Sequence, residues 1–280
     1  MVVAVTGASG QLGQALQHIA ASHPDITFCF ASSAEADITD KKSVNRFFTK
    51  HKPDACINAA AYTAVDKAES EPEKAFAVNV TGAANVAEIC KRHDVLLVHI
   101  STDFVFDGTK TEPYTEEDIP NPQSVYGKTK LQGEQEIQAI LERYYIIRTS
   151  WVYSQFGHNF MKTMLRLAGE RDRINVVNDQ IGTPTHAVDL AEAIITILKS
   201  NKNHYGIYNF SNEGSCSWYD FAKKIFEVNK ITIDLQPIPT SAYPTPAKRP
   251  KYSVLDKSNI SSRFNLMIKD WDKGLATKDE

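Results

Sequence analysis

Tyr126 and Lys130 lie four residues apart within the segment 124–131, and this spacing limits the chemistry that the pair can carry out. On a helix, residues four apart share one face, so the phenol and the ammonium point into the same space. A free tyrosine has a pKa near 10, and lowering it to about 7 requires roughly 4 kcal/mol in favour of the phenolate. One cation about 4 Å away, at an effective dielectric constant of about 20, supplies roughly that much. The pair is therefore typical of a proton donor with a supporting cation, although a packed ring beside a solvated amine has the same spacing.

Thr102 and Asp103 follow an apolar run, residues 95–100, that predicts a buried strand. Ligands of doubly wound sheets bind just beyond the carboxyl ends of the strands. The hydroxyl of Thr102 is therefore a candidate to hold a carbonyl oxygen beside the Tyr126 phenol. A hydroxyl at this position is also typical of a plain cap between a strand and a loop.

Three glycines separate the first apolar run from the first amphipathic one. Residues 2–6 are apolar and β-branched, Gly7, Gly10 and Gly13 follow, and the next eight residues favour a helix. Glycines at this spacing let the backbone turn sharply, approach a pyrophosphate and pack a helix against a strand. The N–H groups at the start of the helix then face the phosphates. Between a strand and a helix at the start of the chain, the pattern predicts a dinucleotide-binding turn rather than an ordinary tight turn.

The elements that position these residues alternate between strand and helix over the first 150 residues. The predicted strands are 2–6, 26–30, 54–58, 95–100 and 144–149. The predicted helices are 11–22, 40–51, 72–92 and 124–142. This order indicates an α/β protein with a doubly wound parallel Rossmann sheet and right-handed crossovers. Gly127 and Gly133 interrupt the helix that carries Tyr126, either as tolerated weak helix formers or because the backbone there must approach something closely.

The second half of the chain has a looser pattern and predicts a smaller substrate-binding lobe. Residues 1–150 are assigned to the NAD(P)-binding domain, with a return segment near 174–200, and residues 151–280 mainly to the lobe. Its predicted elements are helices at 157–169, 187–200 and 217–228 and strands at 174–178 and 205–210. Five prolines between residues 236 and 250 predict that this stretch has no regular structure.

Composition excludes several classes of function. The 280 residues are 42% hydrophobic, enough for a substantial core, and no apolar stretch reaches the length of a membrane-spanning helix. A net charge of −3 without a basic cluster argues against a nucleic acid partner. The four cysteines lack Cys-x-x-Cys spacing, which favours core thiols in a reducing cytoplasm. The histidines form no paired metal motif, so no metal site is predicted.

Taken together, these segments resemble the extended short-chain dehydrogenase/reductase family, and within it the reductases of dTDP-linked 4-keto sugars. The resemblance runs nearly from end to end. The segments that carry it are Gly7-Ala-Ser-Gly-Gln-Leu-Gly, Asp37-Ile-Thr-Asp, Asn58-Ala-Ala-Ala-Tyr-Thr-Ala-Val-Asp-Lys-Ala-Glu, Ser101-Thr-Asp-Phe-Val-Phe-Asp-Gly, Tyr126-Gly-Lys-Thr-Lys, Arg148-Thr-Ser-Trp-Val-Tyr, Asn178-Asp-Gln-Ile-Gly-Thr-Pro-Thr and Arg249-Pro. It implies transfer of hydride from NADPH to C4 of dTDP-4-dehydro-L-rhamnose, which gives dTDP-L-rhamnose.

The resemblance also implies which residues bind the two ligands. Those implied to bind the cofactor are Gly7, Gly10, Gln11, Leu12, Gly13, Asp37, Ile38, Ala61, Tyr62, Thr63, Tyr126 and Lys130. Those implied to bind the dTDP-sugar are Thr102, Asp103, Trp151 and Arg249. In the implied mechanism Tyr126 donates a proton, Lys130 holds the nicotinamide ribose and lowers the pKa of the tyrosine, and Thr102 hydrogen-bonds the carbonyl oxygen.

Related functions remain open alternatives at this level. Phe104 follows Asp103 where the related 4,6-dehydratases place a glutamate, which argues against dehydration. Epimerases share the Tyr-x-x-x-Lys pattern, and the regulatory β subunit of methionine adenosyltransferase has a similar fold and binds NADP without a comparable reaction. The alternatives are therefore another nucleotide-sugar reductase or epimerase, or a non-catalytic NADP-binding regulatory subunit.

Cofactor choice and assembly are predicted from two short segments. Residues 28–33, at the end of the second strand, contain no acid, and Ser32 and Ser33 could donate to a 2′-phosphate, so NADPH is expected to be preferred, with NADH possible. Some relatives dimerise through Mg²⁺ held by an acid early in the first helix, where this chain has Ala15. We therefore expect a metal-independent monomer or weak homodimer.

Overall fold

A parallel six-stranded sheet forms the centre of the computed structural model, which describes residues 1–200 and 202–276. The strand order is β10-β5-β4-β3-β1-β2. Its members are β1 (Val2–Thr6), β2 (Thr27–Ala31), β3 (Ala55–Asn58), β4 (Leu96–Thr102), β5 (Tyr144–Thr149) and β10 (Gly206–Asn209). Every pairing in the sheet is parallel, which confirms the predicted fold class.

Ten α-helices lie in the described residues. They are α1 (Gln11–Ile19), α2 (Lys41–His51), α3 (Val65–Ala68), α4 (Pro72–Phe76), α5 (Ala83–His93), α6 (Val125–Ile140), α7 (Phe160–Glu170), α8 (Ala187–Lys199), α9 (Trp218–Val228) and α10 (Ser258–Phe264). A π-helical segment, Ala77–Gly82, joins α4 to α5, so the single predicted helix 72–92 is three consecutive elements. No helix in this part of the chain has the length and apolarity needed to cross a membrane.

The sheet is covered on both faces because successive strand side chains point to opposite sides. Val3 and Val5 of β1 pack into a core with α1 and α8, while Ala4 between them packs into a second core with α2, α5 and α6. Both cores combine aliphatic with aromatic side chains, and together they bury the sheet on both faces, as expected for a parallel sheet.

The chain returns to the main sheet through α8 and β10. Helix α8 packs on α1, and β10 pairs with β5 at the edge of the sheet. The strand predicted at 174–178 is β7 (Arg173–Val177), and it pairs with β12 (Asp234–Ile238) instead of with the main sheet. The division of the chain near residue 150 stays a prediction, and residues 201 and 277–280 lie outside the described part.

The remaining elements form a smaller lobe around α7, α9, β7 and β12. Its core is rich in aromatic residues, and three short strands border it: β6 (Val152–Tyr153), β8 (Ile181–Gly182) and β11 (Cys216–Ser217). A fourth, β9 (Thr185–His186), pairs with β6.

The prediction that residues 236–250 contain no regular structure is wrong for their first part, because Pro237 lies inside β12. That strand has a single neighbour in a two-stranded sheet, so one edge requires no N–H donors and tolerates a proline.

The two glycines of α6 are sites of close backbone approach. A Cβ atom at Gly127 would overlap the carbonyl oxygen of Phe104, and one at Gly133 would overlap the carbonyl oxygen of Asn79. Of the two alternatives, close approach is therefore confirmed, and the neighbour in each case is the protein's own backbone. These contacts bring α6 against the loop after β4 and against the π-helical segment.

Candidate active site

Helix α6 and strand β4 bring Thr102, Tyr126 and Lys130 together at the carboxyl edge of the sheet. The helix begins at Ser124, whose hydroxyl accepts a hydrogen bond of 3.1 Å from the Gly127 N–H. Tyr126 and Lys130 both lie on the buried face of α6, with 9% and 1% of their surfaces exposed, and Thr102 is 5% exposed. The i, i+4 spacing thus places both side chains in the interior beside the end of β4.

Tyr126 is surrounded by groups that keep its phenol neutral. Burial raises its pKa to about 12; the hydrogen bond with Thr102 lowers it and the nearby Asp103 carboxylate raises it further. The ring also meets the ring of Phe104 edge to face, with 5.5 Å between centroids. The expected lowering of this pKa by Lys130 is absent here, because the phenolate is desolvated and the Lys130 ammonium donates to the Ile100 carbonyl instead.

Lys130 directs its ammonium away from carboxylates. Its Nζ donates to the carbonyl oxygen of Ile100 at 2.6 Å and lies 3.3 Å from Nε2 of His99. Burial lowers its pKa to about 8, while the more distant Glu134 opposes this change. The carboxylate of Glu134 is itself paired with the buried Arg148 at 2.7 Å. Lys130 is therefore a buried cation held by neutral groups.

His99 is a buried residue that sequence reasoning missed. Its Nδ1 lies 3.0 Å from Nδ2 of Asn58, whose Oδ1 accepts from the Thr6 hydroxyl at 2.7 Å. A polar chain thus runs through the sheet from the glycine turn to Lys130. Burial and the charge of Lys130 lower the pKa of His99 well below its usual range, so the ring is neutral at physiological pH. The available signal was a histidine inside an otherwise apolar strand, three residues before Thr102.

Asp103 lies beside Thr102 and Tyr126, almost completely buried. Burial raises the pKa of its carboxyl to about 6, while the nearby hydroxyls of Ser253 and Thr102 lower it. Oδ1 accepts from the Thr102 hydroxyl at 3.0 Å, while Oδ2 has no partner of good hydrogen-bond geometry in the described structure, although the Ser253 hydroxyl is near. A buried carboxylate oxygen of this kind suits a hydroxyl group of a polar ligand.

The glycine turn has the shape that a pyrophosphate requires. Gly7 has a φ of +70°, and a Cβ there would lie 2.6 Å from the backbone nitrogen of Ala60. A Cβ at Gly13 would overlap the carbonyl oxygen of Gly7. Helix α1 begins at Gly10 without a side-chain cap, so the N–H groups of its first turn are free of side-chain acceptors. The residues of the turn therefore fit a dinucleotide.

The side chains of Gln11 and Leu12 do not point to this turn. Gln11 accepts from the hydroxyl of Ser154 at 3.1 Å and from the amide of Asn159 at 2.9 Å. Leu12 is 8% exposed and packs in the core below α1. Only their backbone groups are available to a pyrophosphate, and Gln11 ties the turn to the smaller lobe.

Asn79, in the π-helical segment, fixes the loop that contains Ala61, Tyr62 and Thr63. Its Oδ1 accepts from the Tyr62 N–H at 2.8 Å, and its Nδ2 donates to the Tyr62 carbonyl at 3.2 Å. The same amide also donates to Thr129 of α6 at 3.1 Å. The loop is thus held against the helix that carries Tyr126, as is common for π-helical turns at functional sites.

Asp37 and Ile38 lie beyond β2 at the same edge of the sheet. Oδ1 of Asp37 accepts from the backbone and the hydroxyl of Thr39, at 2.9 and 2.8 Å. Ile38 is 4% exposed, and its side chain fills the space that a Cβ at Gly82 would occupy. Ile38 therefore forms a wall of the core, and Asp37 is a turn residue with one engaged oxygen.

A cavity of about 570 Å³ opens in the smaller lobe, and its wall contains Trp218, Phe160 and Arg249. Trp151, with a φ of +46°, is not part of this wall; its ring stacks on Trp218 with 3.5 Å between centroids. Arg249 makes two hydrogen bonds to Asp66 of α3, at 3.0 and 2.7 Å, and these lower the pKa of that carboxyl. The pair joins the lobe to the loop after β3.

Comparison with known proteins gives consistent matches over the whole chain. The family model described as the RmlD substrate binding domain matches residues 1–278. The dTDP-4-dehydrorhamnose reductase of Aggregatibacter actinomycetemcomitans is 42% identical over 97% of this chain and 96% of its own. A solved reductase of the same name from Clostridium acetobutylicum is 42% identical, covers 99% of this chain and 97% of its own, and has a TM-score of 0.93. The Bacillus anthracis reductase, solved in complex with NADP, is 40% identical over 98% of this chain and 96% of its own, with a TM-score of 0.94. The chain belongs to the dTDP-4-dehydrorhamnose reductase family.

Proposed function

We propose that this protein reduces the C4 carbonyl of dTDP-4-dehydro-L-rhamnose with NADPH to give dTDP-L-rhamnose. The observation that carries the proposal is the convergence of Thr102, Tyr126 and Lys130, all buried, at the edge of the sheet that also bears the glycine turn. The names of the relatives support the substrate, and the NADP complex of the Bacillus anthracis protein supports the cofactor.

The dinucleotide is held by the glycine turn and the start of α1. Backbone N–H groups of this turn bind the pyrophosphate, and Asp37 and Ile38 border the adenine. The loop 61–63, fixed by Asn79, lines the channel towards Tyr126. When bound, the dinucleotide supplies the hydride, and the remaining chemistry belongs to the protein.

Tyr126 gives a proton to the substrate oxygen as C4 is reduced. With a pKa of about 12 it is fully protonated at neutral pH, which is the form that a donor requires. Thr102 offers a hydroxyl next to the phenol and hydrogen-bonds the same oxygen. Lys130, one helical turn further on the same face, holds the nicotinamide ribose through its ammonium.

The substrate lies between Asp103 and the cavity of the smaller lobe. The unpartnered Oδ2 of Asp103 accepts from a sugar hydroxyl, and Trp218 and Phe160 provide aromatic surface for the nucleotide. Arg249, at the cavity wall, faces the diphosphate while Asp66 fixes its guanidinium plane. Trp151 does not contact the substrate; it stacks on Trp218 and fixes the position of that ring.

Reduction is favoured over dehydration by the packing next to the site. Phe104 occupies the position after Asp103 and lies against the Tyr126 ring, so an apolar surface is found where elimination requires a carboxylate. The chain contributes no second acid at that place.

The test is the oxidation of NADPH, followed by its absorbance, with dTDP-4-dehydro-L-rhamnose as substrate and a UDP-linked keto sugar as comparison. Tyr126→Phe is expected to lower kcat by at least about 10²-fold while NADPH binding is retained. Tyr145→Phe removes a phenol from another buried ring, near the amino end of β5 and away from the carboxyl ends of the strands, and serves as the matched control. Binding of NADPH without any turnover of the dTDP-sugar would favour a binding subunit, and near-normal turnover of Tyr126→Phe would remove this residue from the mechanism.

A further inference from the structure

The end of β2 lies directly beside the glycine turn. Thr6 of β1 is paired with Ala31 of β2, and the N–H of Ala8 donates to the Ala31 carbonyl at 3.1 Å. In dinucleotide-binding sheets, the residues that follow this strand face the 2′ position of the adenosine ribose. Ser32 and the turn after it therefore form that part of the site.

Glu35 folds back onto this strand end. Its Oε2 accepts from the N–H of Ser32 at 2.8 Å and from the Ser32 hydroxyl at 3.0 Å. The backbone of the turn closes in the same direction, because the N–H groups of Glu35 and Ala36 both donate to the Ser32 carbonyl, at 3.1 and 2.9 Å. The carboxylate is thus fixed by the strand end although the residue is exposed.

This arrangement changes what the serines can offer. The hydroxyl of Ser32, expected to donate to a 2′-phosphate, already donates to Glu35. The hydrogen bonds from Ser32 lower the pKa of Glu35, and Lys50 and His51 of α2 add a smaller effect of the same sign. Residues 31–40 contain no lysine or arginine, so the turn itself brings no cation to this place.

We propose that Glu35 sets the choice between NADPH and NADH, by accepting a hydrogen bond from a 2′-hydroxyl and opposing a 2′-phosphate. The inference rests on the dinucleotide site of the proposed function. The strand end itself has no acidic residue, so the acceptance of NADH depends on the Glu35 side chain, four residues beyond the end of β2. Removal of the charge is expected to increase selectivity for NADPH.

The experiment measures the Kd of NADPH and of NADH by fluorescence titration, without any sugar substrate. In Glu35→Gln the amide oxygen can still accept from Ser32, so the turn is retained and the charge is lost. We expect NADPH to bind about tenfold more tightly, because the substitution removes a negative charge close to the 2′-phosphate. The Kd of NADH should change by less than about threefold, because NADH lacks this phosphate. The tenfold gain should shrink at high salt.

Glu142→Gln is the matched control. Glu142 is exposed and precedes β5, so it lies at the amino ends of the strands, away from the glycine turn. Its substitution makes the same change in net charge. An unchanged ratio of the two Kd values in Glu35→Gln would overturn the role of Glu35 while leaving the reductase assignment intact. An equal gain in Glu142→Gln would also overturn it. A wild-type chain that binds neither nucleotide would overturn the proposed function itself.

Discussion

Replacement of Lys130 by methionine should stabilise the fold while it abolishes turnover. Lys130 is 1% exposed, and its ammonium is held by the Ile100 carbonyl and the His99 ring, without a carboxylate partner in the described residues. Burial lowers its pKa from 10.5 to about 8. At about 1.4 kcal/mol for each pH unit, the charge costs the folded state about 3 kcal/mol at neutral pH. Loss of the hydrogen bond to Ile100 offsets about 1 kcal/mol, which leaves an expected gain of about 2 kcal/mol.

The stability difference between Lys130→Met and the wild type should depend on pH. Between pH 8 and 10.5 the unfolded chain binds more protons at Lys130 than the folded chain does, so the contribution of Lys130 to the stability of the wild type rises with pH over this range. Below pH 8 the full cost of the charge is present. The difference between Lys130→Met and the wild type should therefore be largest at pH 7 and should close as the pH approaches 10.5.

Urea unfolding of the free protein, followed by tryptophan fluorescence at several pH values, measures this difference in stability. If the m value is unchanged, a shift in the urea midpoint reports the change in the free energy of unfolding. Lys257→Met is the control, since Lys257 is also nearly buried but is paired with Glu213 at 3.3 Å. The control should show no gain in stability. A Lys130→Met variant that is less stable than the wild type at every pH would refute the conclusion that this ammonium is an uncompensated buried charge.

Three further outcomes are expected. Arg249→Ala should raise KM for the dTDP-sugar several-fold with little change in the Kd of NADPH. Asp66→Asn, which frees the guanidinium, should raise this KM less. An unchanged KM in both variants would show that the Arg249–Asp66 pair has only a structural role. Gly133→Ala should lower the free energy of unfolding by about 1–3 kcal/mol, because the new Cβ would overlap a carbonyl oxygen. Gly169 has open space around it, so Gly169→Ala should raise the free energy of unfolding by up to about 1 kcal/mol. Thermal unfolding measures both changes. Exhaustive EDTA treatment should leave activity unchanged, because Ala15 is completely buried under α8 and offers no oxygen ligand; activity lost with EDTA and restored by Mg²⁺ would contradict this.

The local elements of the nucleotide-binding half could be predicted from sequence because their signals are short-range. The apolar run 2–6 and the glycines after it predict a strand, a turn and a helix, and the structure has each of them within these few residues. The i, i+4 relation of Tyr126 and Lys130 likewise depends only on helix geometry. Alternation of strand and helix then leaves few topologies for the sheet, because crossovers are right-handed.

The tertiary structure decided the properties that depend on burial and on distant partners. The pKa of Tyr126 rises instead of falling, since desolvation by the surrounding core is stronger than any effect of residues near it in the sequence. His99 reaches Asn58 through the pairing of β3 and β4, and it reaches Lys130 through the packing of α6 on β4. Pro237 is tolerated in a strand because that strand has one neighbour.

The same division applies to the ligand-binding residues. Sequence alone determined that this chain has a glycine turn and a tyrosine and a lysine at fixed spacing, since covalent connectivity and helix geometry fix all three. Only the folded chain showed that Glu35 turns back onto Ser32 and that Asp66 holds Arg249. The first contact depends on how the chain turns after β2, and the second joins residues 183 positions apart, which only the packing of the whole protein brings together.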